Sequence, residues 1–141
     1  MMTFSKEYML LEPVSAYIRN LEFSEQLTEL QFYEHRIDLY CFSPLKNLTA
    51  AIELKLEKWQ RAYNQALLYQ LCADLVFIAL PFETTQHVNT EILDEYGIGL
   101  LAVDNNSRCI NILPAKQSKV IREHYRKVYI EMLEKETTCL R

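Results

Sequence analysis

The chain has 141 residues, of which 50% are hydrophobic and 24% are charged, with only two glycines and four prolines. This composition is typical of one domain with an ordinary buried core, and it argues against collagen-like, linker-rich and turn-rich all-β proteins. Lysines and arginines number 15 against 19 aspartates and glutamates, a net charge of −4. That balance excludes a strongly basic protein that coats nucleic acid, but it leaves room for a local basic site.

No stretch of the sequence has the length and apolarity that a membrane span requires, and the N-terminus lacks the basic-then-apolar order of a signal peptide. The four cysteines, Cys41, Cys72, Cys109 and Cys139, lie far apart without a Cys-x-x-Cys pair. We therefore expect a cytoplasmic protein with reduced thiols, without a membrane partner, rather than a disulfide scaffold or a structural zinc site.

Hydrophobic periodicity in the first half of the chain predicts a helix, three strands and a second helix. Pro13 is tolerated in the first helix only if it lies in the first turn or marks a restart of the helix. The turn residues 43–48 indicate that the second and third strands form a hairpin with a loop of about six residues. In chain order, the predicted elements are a helix over 7–21, strands over 25–32, 36–42 and 49–56, and a helix over 57–72.

The second half of the chain predicts further strands alternating with helices. An unbroken apolar run indicates a buried strand that ends at Pro81, and Gly97 is typical of a helix stop. The predicted elements are a strand over 75–80, a helix from Thr84 or Thr85 to Gly97, strands over 98–103 and 109–113, and a helix from Pro114 to about Glu136. This order predicts a single α/β domain over 1–141, whose mixed central sheet is covered by helices on both faces.

The common catalytic motifs are missing from this sequence. Its only glycines are Gly97 and Gly99, so it has no glycine-rich phosphate loop, and no serine lies in a Gly-x-Ser-x-Gly elbow. The three histidines form no ligand cluster. Phosphate-loop enzymes, serine hydrolases and histidine metal sites are therefore close to excluded.

Two acidic residues on neighbouring strands of the predicted hairpin are the first candidate site. Alternation places Asp38 on the face opposite Ile37 and Leu39, and it places Glu53 and Lys55 together on one face. If Phe42 pairs with Thr49, Asp38 lies directly across from Glu53, with Cβ atoms about 4.5–5.5 Å apart. Opposed carboxylates call for a cation, and Mg²⁺ (or Mn²⁺) prefers such oxygen ligands while leaving room for a phosphate.

Lys55 on the same face would then orient or deprotonate an attacking water, or stabilise charge that develops on the phosphate. The alternative is an ordinary solvated strand face in which Arg36 or Lys55 is the counter-ion. The next helix favours the metal site, because Lys58, Arg61, Gln65 and Tyr69 form one polar stripe suited to a phosphate backbone. The alternative for this stripe is a solvated helix face with Tyr69 partly buried.

At this point the sequence resembles the PD-(D/E)XK nuclease superfamily in its RecB-type arrangement. The resemblance rests on Asp38, on Glu53-x-Lys55 and on Gln65-x-x-x-Tyr69, and it covers residues 7–104 approximately, with a C-terminal extension over 105–141. Ile37 stands where the family's name has proline. The resemblance implies the restriction-endonuclease-like αβββαβ core and metal-dependent hydrolysis of phosphodiester bonds in DNA, or less often in RNA.

The resemblance also implies residue roles. Asp38 and Glu53 would bind Mg²⁺ or Mn²⁺ with the Leu54 carbonyl, and Lys55 would serve the attacking water. Gln65 and Tyr69 would position a water at the metal or the DNA backbone. Many members place a further glutamate on the first helix near the metal, for which Glu12 is the first candidate and Glu7 the second.

The predicted C-terminal helix carries a basic stripe that could bind the phosphate backbone. Its members are Lys116, Lys119, Arg122, Arg126 and Lys127. A solvated helix paired with acidic neighbours is the alternative for this patch.

Three hypotheses follow from the sequence. The leading one is a small metal-dependent nuclease, which would act as a homodimer if it cuts both strands at once. The second is a non-catalytic nucleic-acid- or protein-binding accessory module on the same fold. The third is an oligomeric structural protein in which the charged pair is incidental.

Overall fold

The structure, a computed structural model, describes residues 4–139 and the side chains of residues 4–136. A short 3-10 helix (Glu7–Leu10) leads directly into the first α-helix, and Pro13 lies in the first turn of that helix, as predicted. The elements from this helix onwards are, in chain order, α1 (Leu11–Asn20), β1 (Glu25–Phe32), β2 (His35–Ser43), β3 (Leu48–Leu54), α2 (Trp59–Tyr69), β4 (Leu75–Pro81), α3 (Phe82–Thr85), α4 (Thr90–Glu95), β5 (Gly99–Val103), β6 (Cys109–Leu113) and α5 (Glu123–Cys139). The strands follow in the predicted order, with helices between β3 and β4, between β4 and β5 and after β6.

The six strands form one mixed sheet in the order β1-β2-β3-β4-β5-β6. Strands β1, β2 and β3 are antiparallel neighbours, β3, β4 and β5 are parallel, and β6 is antiparallel to β5. Because β3, β4 and β5 run in the same direction, their carboxyl ends lie at one edge of the sheet and their amino ends at the other. The candidate acids lie at the edge formed by the carboxyl ends, whereas Lys116 and Arg126 of the predicted basic stripe lie at the edge formed by the amino ends.

Helices cover both faces of the sheet, as the element order predicts. On one face Val14 and Ile18 of α1 pack against a cluster that includes Ile52 of β3. On the other face the small residues Ala62 and Ala66 let α2 lie close to the sheet, and α5 packs beside it. Burial of these apolar faces supplies the main stabilisation of the fold.

The predicted hairpin register is confirmed. Phe42 pairs with Thr49, and Leu39 pairs with Ile52. Ser43 also pairs with Leu48, so the loop has four residues rather than about six. Strand β3 ends at Leu54, two residues before the predicted end, and continues into the turn that precedes α2.

Two predicted helices are wrong in part. The segment 84–97 forms two short helices, because Asn89 caps α4 by accepting the N–H of Ile92, whereas the Thr84 hydroxyl donates to the Leu56 carbonyl. Gly97, with φ +77°, does end the second of them, as predicted. The last helix begins at Glu123, not at Pro114.

The segment 114–122 is not helical because tertiary contacts satisfy its polar groups. The N–H of Lys116 donates to the Gly97 carbonyl, that of Ser118 to the Asp74 carbonyl and that of Arg122 to the Leu71 carbonyl. These bonds replace the bonds that a helix would have supplied.

Within residues 4–139, no helix has the length and apolar content of a membrane span. Cys41 and Cys72 are buried free thiols, and Cys109 is a half-buried free thiol. The side chain of Cys139 lies outside the described residues.

Candidate functional site

Asp38 lies where the pairing of β2 is interrupted on both sides. Towards β1, the register passes from the Thr28 pair directly to the Leu30 pair, and Glu29, between them, has a left-handed φ of +54°. Towards β3, the ladder ends at the Leu39–Ile52 pair. The Asp38 carboxylate instead accepts the backbone N–H of Leu54 at 2.8 Å.

The interruption also changes which way the strand residues face. Ile37 packs in the same cluster as Tyr40, on the α2 side of the sheet, whereas Leu39 packs on the α1 side. The prediction that Ile37 and Leu39 share a face is therefore wrong, because regular alternation does not continue through Asp38. The sequence contains no glycine or proline there that would have signalled the break.

Glu53, near the carboxyl end of β3, is buried with 4% relative exposure. The hydroxyl group of Tyr69, on α2, lies 3.1 Å from Glu53 Oε1 and 3.3 Å from the Arg36 carbonyl, and can donate to either. Tyr69 is fully buried, so the prediction that it contacts nucleic acid is wrong. Its long side chain crosses the core and orients Glu53 instead.

The two carboxyl groups are electrostatically coupled. Burial, reinforced by the charge of Asp38, raises the pKa of Glu53 to about 8. Burial also raises the pKa of Asp38, although the Leu54 N–H opposes that rise. Because the pKa of Glu53 is raised to about 8, Glu53 is mostly protonated at neutral pH, and its neighbour Asp38 is one cause of that rise. Two neighbouring acids, of which Glu53 is buried and protonated and Asp38 is half-buried, are a place where a cation can replace the proton.

Lys55 lies next to this pair. Its ammonium nitrogen is 4.0 Å from Glu53 Oε2 and 4.0 Å from Glu7 Oε2. The Glu7 charge also raises the pKa of Asp38, whereas Glu12, on α1, is not among the groups that shift it; both glutamates are exposed. Glu7, the second candidate from the sequence, is therefore the N-terminal acid beside the pair, and the preference for Glu12 is corrected. The 3-10 helix before α1 places Glu7 beside Lys55. The sequence pattern predicted a single helix over 7–21 and did not show this separate 3-10 turn.

A groove of about 420 Å³ opens beside Lys55. Lys58 and Arg61, both exposed, line it together with Glu7 and Glu57. The predicted stripe on α2 thus divides by depth: Lys58 and Arg61 face the groove, and Tyr69 at the other end of the helix is buried.

Gln65 is half-buried, between the exposed Lys58 and Arg61 and the buried Tyr69. Its amide nitrogen is 3.4 Å from Nδ1 of His35, a residue that the sequence analysis did not single out. The Gln65 side-chain oxygen is buried and has no hydrogen-bond partner among the described protein atoms. A buried oxygen without a donor is a place for an ordered water or another donor group.

Most of the predicted basic stripe lies elsewhere, because 114–122 is not helical. Lys116 forms an ion pair with Asp94 at 3.3 Å and contacts Gly97, at the amino end of β5. Arg126 is largely buried and donates to Asp74 at 2.9 Å, at the amino end of β4. These two residues are therefore at the edge of the sheet opposite Glu53. Lys119, Arg122 and Lys127 are exposed.

Among the described residues, no three His, Cys, Asp or Glu side chains are close enough to form a metal-ligand cluster. The arrangement offers two coupled carboxyl groups, and the Leu54 carbonyl belongs to the residue whose N–H holds Asp38. Two carboxylates with waters are enough for Mg²⁺, which keeps several waters in its shell. The donor set therefore fits a hard divalent cation, although it does not require one.

Comparison with known proteins adds information on the fold. No family model matches the chain, and no curated protein matches it. Among solved structures it is similar to SPO1766, a protein of unknown function from Silicibacter pomeroyi, with a TM-score of 0.72 and 21% sequence identity over 97% of this chain and 89% of that one. The chain is thus an α/β protein with a six-stranded mixed sheet, a fold that it shares with this protein.

Proposed function

We propose that this protein is a Mg²⁺- or Mn²⁺-dependent nuclease with the restriction-endonuclease-like αβββαβ core, acting on nucleic acid and foremost on DNA. The observation that carries the proposal is the pair of neighbouring acids beside Lys55, in which Glu53 is buried, Asp38 is half-buried and both have raised pKa values. Burying two acids together destabilises a protein unless a partner compensates, so the pair favours a functional role over an incidental one. The order of elements from α1 to β4 is the order that the resemblance implies.

Asp38 and Glu53 would hold the metal ion, with the Leu54 carbonyl as a further oxygen ligand. The ion would supply Lewis acidity towards a phosphate oxygen and make a bound water more acidic. Tyr69 donates to Glu53 and thereby orients the carboxyl group. The Leu54 N–H does the same for Asp38.

Lys55 would position the attacking water and stabilise charge on the phosphate, because its ammonium group lies 4.0 Å from Glu53. The groove cations Lys58 and Arg61 would bind phosphates on either side of the cleaved bond. The unpartnered oxygen of Gln65 would accept a hydrogen bond from a water near the site.

The first experiment is calorimetric titration of Mn²⁺ into the wild type and into Asp38→Asn/Glu53→Gln. We expect binding by the wild type alone. Glu131→Gln, an exposed acid on α5, is the matched control and should bind as the wild type does. Equal binding by the wild type and the double variant would show that the pair is not the metal site.

Cleavage is tested next on single-stranded, double-stranded and branched DNA and on RNA. Metal-dependent cleavage should disappear in Glu53→Ala and in Lys55→Met. If the purified wild type cleaves and Glu53→Ala cleaves equally well, the proposed site is wrong.

A non-catalytic binding module on the same fold is the second candidate. It is favoured by one observation, the lack of a third acid close enough to complete a metal cluster among the described residues. This candidate predicts nucleic-acid or protein binding that needs no metal and survives Lys55→Met.

A further inference from the structure

We propose that the exposed ring of Tyr33 is a stacking platform for an unpaired nucleobase, so that the substrate of the site is single-stranded or locally unpaired nucleic acid. This inference rests on the proposed nuclease function, which it extends by naming the substrate class. It is carried by the exposure, backbone conformation and neighbours of Tyr33.

Tyr33 occupies the two-residue turn between β1 and β2, where Phe32 pairs with His35. Its φ is +54°, a left-handed conformation that short hairpin turns normally give to glycine, asparagine or aspartate. A tyrosine there is unfavourable for the turn itself. Unfavourable backbone conformations of this kind are concentrated at functional sites.

The ring is exposed yet held in place. Its relative exposure is 59%, although it makes edge-on contacts with Phe32 at 4.7 Å and with Tyr125 at 5.9 Å between ring centroids. Its hydroxyl group also bonds to that of Tyr125. A ring fixed in this way can stack on a base without first losing much freedom of its own.

The surroundings of the ring suit a phosphate backbone. Arg36 and Arg122 are both exposed. The Arg122 carbonyl accepts the N–H of Tyr125 at 3.1 Å, so Arg122 lies beside Tyr125, whose ring contacts that of Tyr33. Exposed aromatic rings next to cations are the combination with which proteins bind single strands. The turn consists of Tyr33 and Glu34, so Glu34 is the acidic residue next to the ring in the chain.

The platform lies close to the carboxyl pair. The Tyr69 hydroxyl contacts both the Arg36 carbonyl and Glu53, at 3.3 and 3.1 Å. Tyr33, in the turn, is three residues along the chain from Arg36, which limits their separation to about 10 Å. His35 and Gln65, with its unpartnered oxygen, lie along this path. A strand that stacks a base on Tyr33 can therefore present a phosphate to the carboxyl pair a few nucleotides away.

Stacking on the platform distinguishes single strands from duplexes. In a duplex both faces of each base are covered by neighbouring bases, so an aromatic side chain can stack only on a base that is unpaired, terminal or displaced. Contacts from the groove cations alone would not make this distinction, since they reach phosphates.

The test measures binding of fluorescein-labelled oligonucleotides by anisotropy, in EDTA so that neither cleavage nor metal binding is needed. The probes are a single strand and the blunt duplex of the same sequence. The proteins are the wild type, Tyr33→Ala, Tyr33→Phe and Tyr96→Ala. Tyr96 is the matched control, because it is 52% exposed and also touches one tyrosine ring edge-on, Tyr63.

We expect the wild type to bind the single strand more tightly than the duplex. Tyr33→Ala should weaken single-strand binding about tenfold and leave duplex binding unchanged. Tyr33→Phe, which keeps the ring, and Tyr96→Ala should bind as the wild type does. Thermal unfolding of each variant checks that it is folded; if Tyr33→Ala is destabilised, Tyr33→Leu, which keeps apolar bulk without an aromatic ring, takes its place and should show the same loss.

Three outcomes would overturn the inference: equal binding of single strand and duplex, unchanged single-strand binding by Tyr33→Ala, or no binding of either probe. None of these outcomes affects the Mn²⁺ titration of the wild type and Asp38→Asn/Glu53→Gln, so the proposed metal site is tested independently. Conversely, Tyr33-dependent binding of single strands by a protein that binds no Mn²⁺ would support the platform and refute the nuclease.

Discussion

Glu53 is buried beside Asp38, and its protonation links the candidate site to the stability of the whole protein. Burial and the Asp38 charge raise the pKa of Glu53 from 4.5 to about 8. Between these values the folded protein holds a proton on Glu53 that the unfolded chain has released. The stabilisation from this proton is fully present below pH 4.5 and is lost as the pH rises through about 8.

The expected effect is large for a domain of this size. Each pH unit in that interval lowers the free energy of unfolding by about 1.4 kcal/mol, so the contribution of Glu53 falls by about 5 kcal/mol across it. Glu53→Gln has no proton to lose, yet its amide can donate to Asp38 and its oxygen can accept from Tyr69. Without metal, we expect this variant to be more stable than the wild type at pH 8, by up to about 5 kcal/mol, and close to it at pH 5.

Urea denaturation in EDTA from pH 5 to pH 8 measures this difference directly. Glu131→Gln, an exposed substitution, should follow the wild type. Addition of Mn²⁺ at pH 8 should stabilise the wild type and not Glu53→Gln, since a bound cation takes the place of the proton. Parallel pH dependence of the wild type and Glu53→Gln would refute the coupling of the carboxyl pair.

Three further substitutions test single contacts. Tyr69→Phe removes the hydroxyl donor to Glu53, so it should raise the pKa of Glu53 further and weaken Mn²⁺ binding about tenfold in calorimetry. Arg126→Met leaves the Asp74 carboxylate without its ionic partner, at a cost of about 3 kcal/mol in urea denaturation. Glu7→Gln removes a charge that raises the pKa of Asp38, so NMR titration should show a lower pKa, whereas Glu12→Gln should leave it unchanged.

Each of these predictions has a control and a contrary result. Tyr63→Phe, on the same helix, should not change Mn²⁺ binding, and unchanged binding by Tyr69→Phe would show that the hydroxyl does not orient Glu53. Arg126→Met should still bind Mn²⁺ as the wild type does, because Asp74 is at the opposite edge of the sheet; a loss at temperatures where it is folded would contradict that separation. Equal shifts from Glu7→Gln and Glu12→Gln would contradict the placement of Glu7.

Local patterns predicted most of the fold. Alternation marked β2 and β3 and their register, and the unbroken apolar run from Leu75 marked β4, because these patterns arise from burial on one or both faces of a strand. The helix predicted from Pro114 was wrong, since Ser118 and Arg122 donate to distant carbonyls rather than to their own turn. Propensity cannot anticipate such tertiary bonds.

The candidate site was likewise predicted only in part. Residue types and spacing brought Asp38, Glu53 and Lys55 together as candidates, since the hairpin register is a property of the chain itself, but the alternation assumed for Asp38 does not hold. They did not show that Tyr69 is buried against Glu53, because the direction of a helix across a sheet is set by packing. Nor did they separate Glu7 from Glu12, since only the folded N-terminus decides which acid lies beside Lys55.

The sequence by itself determined the strands, the main helices and the register of the hairpin, because periodic burial and short-range pairing depend on neighbours along the chain. Only the tertiary structure decided the break at Asp38, the raised pKa of Glu53, the groove beside Lys55 and the exposed ring of Tyr33. These features depend on how deeply each group is buried and on what lies against it, and residues distant in the chain supply both.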